Sequence, residues 1–357
     1  MIPSHRQWLR RLALSGVVLG LAVVVFGAYV RLTYAGLGCP DWPGCFGHVT
    51  PLGAQAADAG TAELPLEMGK AWREMIHRYA ASLLGLLIVV QLGLAWRWRK
   101  ERGAPRWLPR LLLAMVLFQG LLGALTVTWK VKPLVVTSHL VFGLTTVSLL
   151  WWLWLSLRRA PLMAAAVLAP GDTARFVWAR RAALLGLLAL IVQIVLGGWT
   201  STNYAAVGCP DFPTCQQQWW PQADFREGFV LWRGLGTNYE GGVLDYPARI
   251  AIHLTHRLGA IVATAALLLA AVLALRCRFS RAAGRAAVAV VAALLLQLCI
   301  GIFMVWQGFP LSLATAHNAG AALLLLATLA LNHTLQALPT TTGPSPTGVS
   351  THGAHPN

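Results

Sequence analysis

Charge is what this 357-residue sequence has least of. Asp, Glu, Lys and Arg make up 11% of it and hydrophobic residues 57%, against roughly 25% charged residues in an ordinary soluble domain. That scarcity excludes the two or three soluble domains the length would otherwise accommodate. Acids are the scarcer sign, with 12 Asp and Glu against 28 Lys and Arg, for a net charge of +16. Compact Cys, His and carboxylate sets at zinc spacing are also missing, which argues against a zinc site. What is abundant is apolar sequence, in several runs of the roughly 20 residues that cross a bilayer as a helix. The chain reads as a polytopic membrane protein.

The positive charge is a matter of topology. Lys and Arg gather between apolar runs, as in Arg6, Arg10 and Arg11, or Arg97, Arg99, Lys100, Arg102, Arg106 and Arg110. The alternate loops hold nearly all the acids, among them Asp41, Asp58, Glu63, Asp211, Asp224 and Asp245. Basic loops face the cytoplasm, so the pI reports orientation and implies no nucleic-acid partner. The apolar runs predict spans near 12–32, 72–95, 109–129, 134–157, 179–200, 249–275, 282–306 and 311–336, with both termini cytoplasmic. The first run flows into Arg31 without a small-residue cleavage site, so it reads as a retained helix and not a signal peptide. The Thr/Pro/Gly/Ser tail, 339–357, is too polar to fold and is expected to be disordered. His352 and His355 in it are expected to be bystanders.

A repeat organises the remainder. Gly38-Cys39-Pro40-Asp41-Trp42-Pro43-Gly44-Cys45 recurs as Gly208-Cys209-Pro210-Asp211-Phe212-Pro213-Thr214-Cys215, and His77-Arg78 as His256-Arg257. Gln119, Gly123, Val127 and His139 recur as Gln297, Gly301, Val305 and His317 at equal internal spacing. The expectation is an all-α membrane protein of two pseudo-symmetric four-helix bundles, a parallel repeat with its axis along the membrane normal. Its parts are an N-terminal half, 1–160, and a C-terminal half, 161–338.

Ionisable residues inside spans are costly and call for a reason. His77, His139, His256 and His317 each lie five to seven residues inside the outer end of an even-numbered span, about 8–10 Å deep. One imidazole in such a place is usually a hydrogen-bonded packing residue. Four in one layer, duplicated in pairs, suit the axial positions of haem iron between facing helices. Gly120, Gly123, Gly143, Gly259, Gly301 and Gly320 lie nearby and can either admit a flat ring or simply pack helices. Arg31, Arg78, Arg249 and Arg257 stand near the outer edge, where they can meet haem propionates or snorkel to lipid headgroups.

The halves differ at one informative place. Glu74 stands three residues before His77, on the same helix face, where His253 precedes His256. Such a carboxyl reads either as a solvated helix-end residue or, if it faces a haem pocket, as a group suited to proton transfer, which would make the half with Glu74 the reactive one and the other an electron-transfer site. Cys39/Cys45 and Cys209/Cys215 lie in outer loops, on the side of the membrane that permits disulfides. They read either as structural pairs or as redox-active thiols. Cys277 and Cys299 read as reduced packing residues. Between the fifth and sixth spans, Phe225, Phe229 and Trp232 fall at helical spacing, which predicts a short interfacial helix acting as a lid or an anchor.

With these residues in hand the chain resembles the haem A synthase family, related to cytochrome oxidase assembly factors. The resemblance covers all eight spans. It rests on Arg31-Leu32-Thr33 leading into Gly36-Leu37-Gly38-Cys39, on Glu74 with His77, and on His139, His256-Arg257 and His317. It implies a duplicated four-helix fold that oxidises a ring methyl of haem O to the formyl of haem A. Carried across, His256 and His317 would hold a resident haem b, while His77 and His139 would flank the substrate with Glu74 beside them. Cys39–Cys45 and Cys209–Cys215 would be disulfides. A haem O synthase and cytochrome oxidase are the implied partners, the electron donor is left unassigned, and the location is a bacterial inner membrane with the cysteine loops extracytoplasmic. Three rivals remain. A b-type cytochrome usually places two histidines about four turns apart on one helix, which this sequence does not do. A haem carrier would release haem unchanged. A thiol–disulfide exchanger would leave four intramembrane histidines without a role.

Overall fold

The computed structural model describes residues 4–60, 65–101, 103–158, 170–277 and 280–336. The tail expected to be disordered lies outside them. Eight of the helices are long and apolar enough to cross a membrane. They are α1 (His5–Leu32), α3 (Met68–Arg97), α4 (Leu108–Thr128), α5 (Pro133–Arg158), α6 (Pro170–Thr202), α8 (Tyr246–Arg276), α9 (Arg281–Trp306) and α10 (Leu311–Thr334). Short helices α2 (Pro51–Ala56) and α7 (Phe225–Gly228) lie in the α1–α3 and α6–α8 connections. Every expected span is found; α1, α3, α6 and α8 begin three to nine residues earlier than expected, and the other four agree within two residues at each end.

Local chemistry sets the helix limits. Ser4 and Gln7 close a capping box on α1, and Ser280 caps α9 through Ala283 N, each satisfying amides that a first turn leaves without partners. Two tight turns reverse the chain. Lys130 and Val131 between α4 and α5, and Gly308 and Phe309 between α9 and α10, are all left-handed, at φ 47°, 50°, 71° and 63°. Pro133 and Pro310 then stand at the start of the next helix, where a missing N–H costs nothing.

Buried apolar residues form two large clusters. One draws Leu9, Val17, Ile88, Leu112 and Leu150 from α1, α3, α4 and α5, with Leu326 of α10 added. The other draws Leu190, Leu267, Val290 and Leu331 from α6, α8, α9 and α10, with Leu144 of α5 added. Large apolar residues such as Val90, Leu117, Val262 and Leu295 are exposed on the outer helix faces, as expected of surfaces solvated by lipid tails.

The two cysteine loops fold alike. Cys39 is bonded to Cys45 and Cys209 to Cys215. Asp41 accepts from the amides of Phe46 and Gly47 at 2.6 and 2.9 Å, and Asp211 from those of Gln216 and Gln217 at 2.5 and 2.9 Å. Gly38 and Gly208 let each loop close on the first turn of α3 or α8. A Cβ there would stand 2.7 Å from the Lys70 carbonyl carbon or 2.8 Å from that of Arg249.

The segment around Phe225 is not the helix the spacing predicts. Helix α7 ends at Gly228, whose carbonyl accepts from Trp199 Nε1 at 2.9 Å and whose position leaves no room for a side chain beside Ala248 O. Phe229 turns inward onto Trp199 and Leu244. Trp232 instead lies over the ammonium of buried Lys132, which donates to the carbonyls of Arg233 and Gly234. The amide of Tyr239 donates to Lys130 O at 3.2 Å. The connection is thus strapped across the α4–α5 turn, held by a cation that faces both an aromatic ring and carbonyl dipoles.

Candidate functional site

A cavity of about 930 Å³ opens among α1, α3, α4 and α5, large enough for a cofactor-sized ligand. Its walls are mainly apolar, with Val24, Leu84, Val116 and Leu140 among them, and its polar groups are few. His77 from α3 and His139 from α5 both line it, together with Glu74, Arg78 and Arg31. The N-terminal residues singled out from sequence therefore converge on one space. His256 and His317 stand on α8 and α10 of the C-terminal part.

Each imidazole rests against a glycine of the preceding long helix. An added Cβ would meet the Cε1 of His77 at 2.7 Å from Gly27, of His317 at 2.9 Å from Gly301, of His256 at 3.1 Å from Gly197 and of His139 at 3.7 Å from Gly123. Gly123 and Gly301 thus serve the histidines. Gly259 and Gly320 serve glutamine amides, and nothing stands within 4 Å of a Cβ at Gly120. Gly27 and Gly197 were missed in the sequence, because a glycine in an apolar span has no distinguishing pattern of its own.

Side-chain amides approach three of the rings. Gln193 of α6 places its amide nitrogen 3.0 Å from His256 Nδ1 and donates to His256 O at 2.9 Å. Gln297 of α9 lies 3.3 Å from His317 Nε2. Gln119 of α4, with its amide turned to satisfy both ends, lies 2.9 Å from His139 Nδ1, donates to His139 O and accepts from Gly143 N. Gln193 was also missed, although a glutamine inside a span carries the same cost that drew attention to the histidines.

Glu74 is buried, 5% exposed, with both oxygens engaged. One accepts from Cys39 N at 2.9 Å and the other from Arg78 Nη2 at 2.5 Å. Arg78 also donates to the carbonyls of Asp41, Pro43 and Gly44. The carboxylate is therefore tied to the disulfide loop twice, through Cys39 and through Arg78. In the C-terminal part His253 replaces it, buried, its Nε2 accepting from Arg257 Nε at 3.3 Å. Arg257 donates to the carbonyls of Cys209, Asp211 and Thr214.

The four arginines are placed differently from one another. Arg78 and Arg257 give their guanidiniums mainly to loop carbonyls, and Arg249 donates to Leu244 O at 2.8 Å. Arg31 reaches across from α1 to Ser201 O on α6 and lies 4.6 Å over the ring of Tyr204, while lining the large cavity. Asp211, in the second loop, is affected first by burial, which raises its pKa. Hydrogen bonds from Thr214, Gln217 and Gln216 outweigh that and hold its carboxyl below the ordinary value.

Both parts carry a histidine pair of the kind that binds haem, and the N-terminal pair has a cavity to receive it. In the N-terminal part, two histidines on different helices face a large, mostly apolar space, and His77 Nδ1 is buried without a partner among the described residues. In the C-terminal part Gln193 stands at the Nδ1 of His256, whereas Gln297 approaches His317 at Nε2 and the His317 Nδ1 is buried without a partner among the described residues. The neighbour at His256 Nδ1 is what a histidine bound to metal through Nε2 requires.

The model of the cytochrome oxidase assembly protein family (COX15-CtaA) matches residues 10–329. The chain is 42% identical over 336 residues to the haem A synthase of Shewanella oneidensis, covering 92% of this chain and 96% of that one. It is 29% identical over 361 residues to the haem A synthase of Rhizorhabdus wittichii, with 93% and 96% covered. With that of Erythrobacter litoralis the identity is 30% over 349 residues, with 89% and 95% covered.

Proposed function

We propose how the work is divided within a chain that belongs to the cytochrome oxidase assembly protein (COX15-CtaA) family and oxidises the methyl group of haem O to the formyl group of haem A. The N-terminal half, 1–160, takes the substrate between His77 and His139. The C-terminal half, 161–338, holds a resident haem b between His256 and His317. The two halves are four-helix bundles related by a pseudo-two-fold axis along the membrane normal. The two buried clusters, the matched cysteine loops and the four glycine-seated histidines support this arrangement. Both termini lie on the cytoplasmic side of a bacterial inner membrane, and the disulfide loops lie outside, in keeping with the loop charges.

The observation that carries the assignment is the cavity that brings His77, His139 and Glu74 together. The second pair has His253 in place of the carboxylate. Turning a methyl into a formyl group removes four electrons and installs one oxygen, so hydrogen must leave the carbon as protons and electrons. A resident haem b supplies one-electron transfer when bound. Glu74, fixed by Arg78 and Cys39 N, accepts protons at Oε1 or Oε2 or orients water beside the methyl group. Arg31 lines the same space and meets a substrate propionate. Arg78 borders it, already engaged with Glu74 and the loop. Arg249 and Arg257 occupy the corresponding outer edge of the second half. Haem O comes from a haem O synthase, and the product passes to cytochrome oxidase assembly.

Co-expression with a haem O synthase followed by haem extraction and chromatography tests the reading. The expected result is haem A from the unaltered chain and, for Glu74→Gln, haem O retained with turnover lowered at least about 100-fold, the scale of lost acid–base catalysis. Full turnover by Glu74→Gln with haem bound would remove that role.

A further inference from the structure

The large cavity runs well past the histidines. Away from the disulfide loop it continues as an arm between α3 and α4, lined by Gly85 and Val89 of the one and Leu113, Val116, Leu117 and Gly120 of the other. At its head stands His77, whose Nδ1 is buried without a partner among the described residues. Val89 lies twelve residues beyond His77, and Leu113 ten before Gly123, the glycine against His139. The arm therefore extends about 15–18 Å from the imidazole layer. Its chemistry changes along the way. The charged groups of Arg31, Glu74 and Arg78 stand at the disulfide-loop end. Lower down, the hydroxyls of Ser82 and Thr146 donate to carbonyls of their own helices, Arg78 O at 2.9 Å and Phe142 O at 3.0 Å, which leaves apolar surface to a ligand. Val89 and Leu117 are also exposed on the outer face of the bundle, so the arm borders lipid. The second part carries bulkier residues at these places. Counted from His77 and His256, Gly85 corresponds to Thr264; counted from Gln119 and Gln297, Val116 and Gly120 correspond to Leu294 and Leu298. Leu294 is buried in the core there with Leu298 packed against it. A Cβ at Gly120, by contrast, would meet nothing within 4 Å, and one at Gly85 only Val116 Cγ2 at 3.7 Å.

We propose that this arm holds the isoprenoid side chain of the substrate, and that Gly85 and Gly120 are the specificity-determining residues that admit haem O. The proposal rests on the reading that the N-terminal half takes the substrate. Haem O differs from haem B by a long apolar hydroxyethylfarnesyl chain, carried on an edge of the macrocycle away from the propionates. With the propionates towards Arg31, that chain is directed along the arm. A hydrocarbon chain gains little by leaving lipid for an equally apolar protein surface, so the discrimination is one of shape. The chain fits where two glycines leave a seam and is excluded where Thr and Leu side chains fill it. Because the seam reaches lipid at Val89 and Leu117, the chain need not be drawn out of the bilayer for the macrocycle to reach the histidines. Haem B has no such chain and is indifferent to whether the arm is open.

The test uses purified full-length protein that retains its resident haem b, titrated in separate samples with haem O and with further haem B and followed by the Soret spectrum. Gly85→Thr with Gly120→Leu, which transplants the second-part residues, is expected to weaken haem O binding at least about tenfold, the scale on which an apolar pocket rejects excess bulk. Binding of the added haem B should not change. Gly93→Leu, four residues past Val89 on α3 and with nothing within 4 Å of its Cβ, should leave both affinities as they were. Unchanged haem O affinity in the filled variant overturns the proposal and leaves the substrate reading standing. So does equal weakening of haem O and haem B, which would place the damage at the histidines and not in the arm. Haem O that binds His77→Ala as tightly as the unaltered chain overturns the substrate reading, and the proposal with it. If the filled variant fails to fold, as judged by absent resident haem b, competition on the unaltered chain decides. Farnesol should then weaken haem O binding and spare haem B, and haem O binding unaffected by farnesol overturns the proposal.

Discussion

Adding one methyl group at Gly301 should dislodge a haem ligand without touching any polar group. The ideal Cβ of an alanine there lies 2.9 Å from His317 Cε1, and ordinary contact begins near 3.4 Å, so ring or helix must retreat by about 0.5 Å. The same step at Gly27 demands about 0.7 Å of His77, at Gly197 about 0.3 Å of His256, and at Gly123 nothing of His139. Metal–ligand distances tolerate only about 0.2 Å, so Gly27→Ala and Gly301→Ala exceed the tolerance clearly, Gly197→Ala exceeds it slightly and Gly123→Ala is silent. Overpacking of this kind costs about 1–3 kcal/mol, or roughly 5- to 150-fold in haem affinity. Reduced-minus-oxidised spectra and haem quantification on the purified variants supply the assay. Gly301→Ala should lose haem B and its low-spin signature while keeping haem O, and Gly27→Ala the reverse. Full haem B with an unaltered spectrum in Gly301→Ala would refute the reasoning. So would equal losses at Gly123 and Gly301, because that would make the effect one of helix packing.

Two further outcomes follow from the loops. Arg257→Leu removes the donor to three carbonyls of the second loop and should lower stability by about 2–3 kcal/mol, read as a fall in Tm. Arg257→Lys should recover only part of it, since an ammonium lacks the planar fork, and full recovery would contradict this account. The Asp211 carboxyl is held below its ordinary pKa. Its contribution is therefore complete above the ordinary carboxylate range and is lost only as pH falls through the lowered folded value. Hydrogen exchange at the amides of Gln216 and Gln217 should stay protected down to about pH 4; loss of protection already at about pH 6 would contradict the assignment.

Much of this was legible in the sequence because lipid simplifies the code. A span must satisfy its backbone internally and present apolar side chains, so hydropathy located all eight long helices, and expensive exceptions such as His77 and Glu74 stood out. The cysteine loops were readable through their repetition. What escaped depends on which helix faces which. Gln119 and Gln297 were visible as a repeated pair, yet nothing in one dimension says that their amides meet His139 and His317. Gly27 and Gly197 are two among 34 glycines and acquire meaning only through the imidazole opposite. Arg78 and Arg257 looked available at the membrane edge, but loop carbonyls turned inward above α3 and α8 claim their guanidiniums. The periodicity at Phe225, Phe229 and Trp232 misled because Gly228 sits where only a glycine fits and breaks the helix, and Lys132, on a distant turn, then captures Trp232.

Three differences between the two parts bear on the same space. Where the second half has His253, Gln193 and Ser201, the first has Glu74, Val23 and Arg31 at the corresponding places. Each exchange has a cost for folding alone. A carboxylate and a guanidinium enter a region where charge is expensive, and an amide that would have satisfied a buried imidazole is lost. Random drift of a duplicated scaffold would scatter such costs over both halves and over lipid-facing surfaces. Here Glu74, Val23 and Arg31 all line the cavity of about 930 Å³, and Arg31 and Glu74 are neutralised by unlike means: one by a carbonyl and an aromatic face, the other by Arg78 and a loop amide. Such a concentration is what the proposed division of labour, with the substrate in the N-terminal part, would produce.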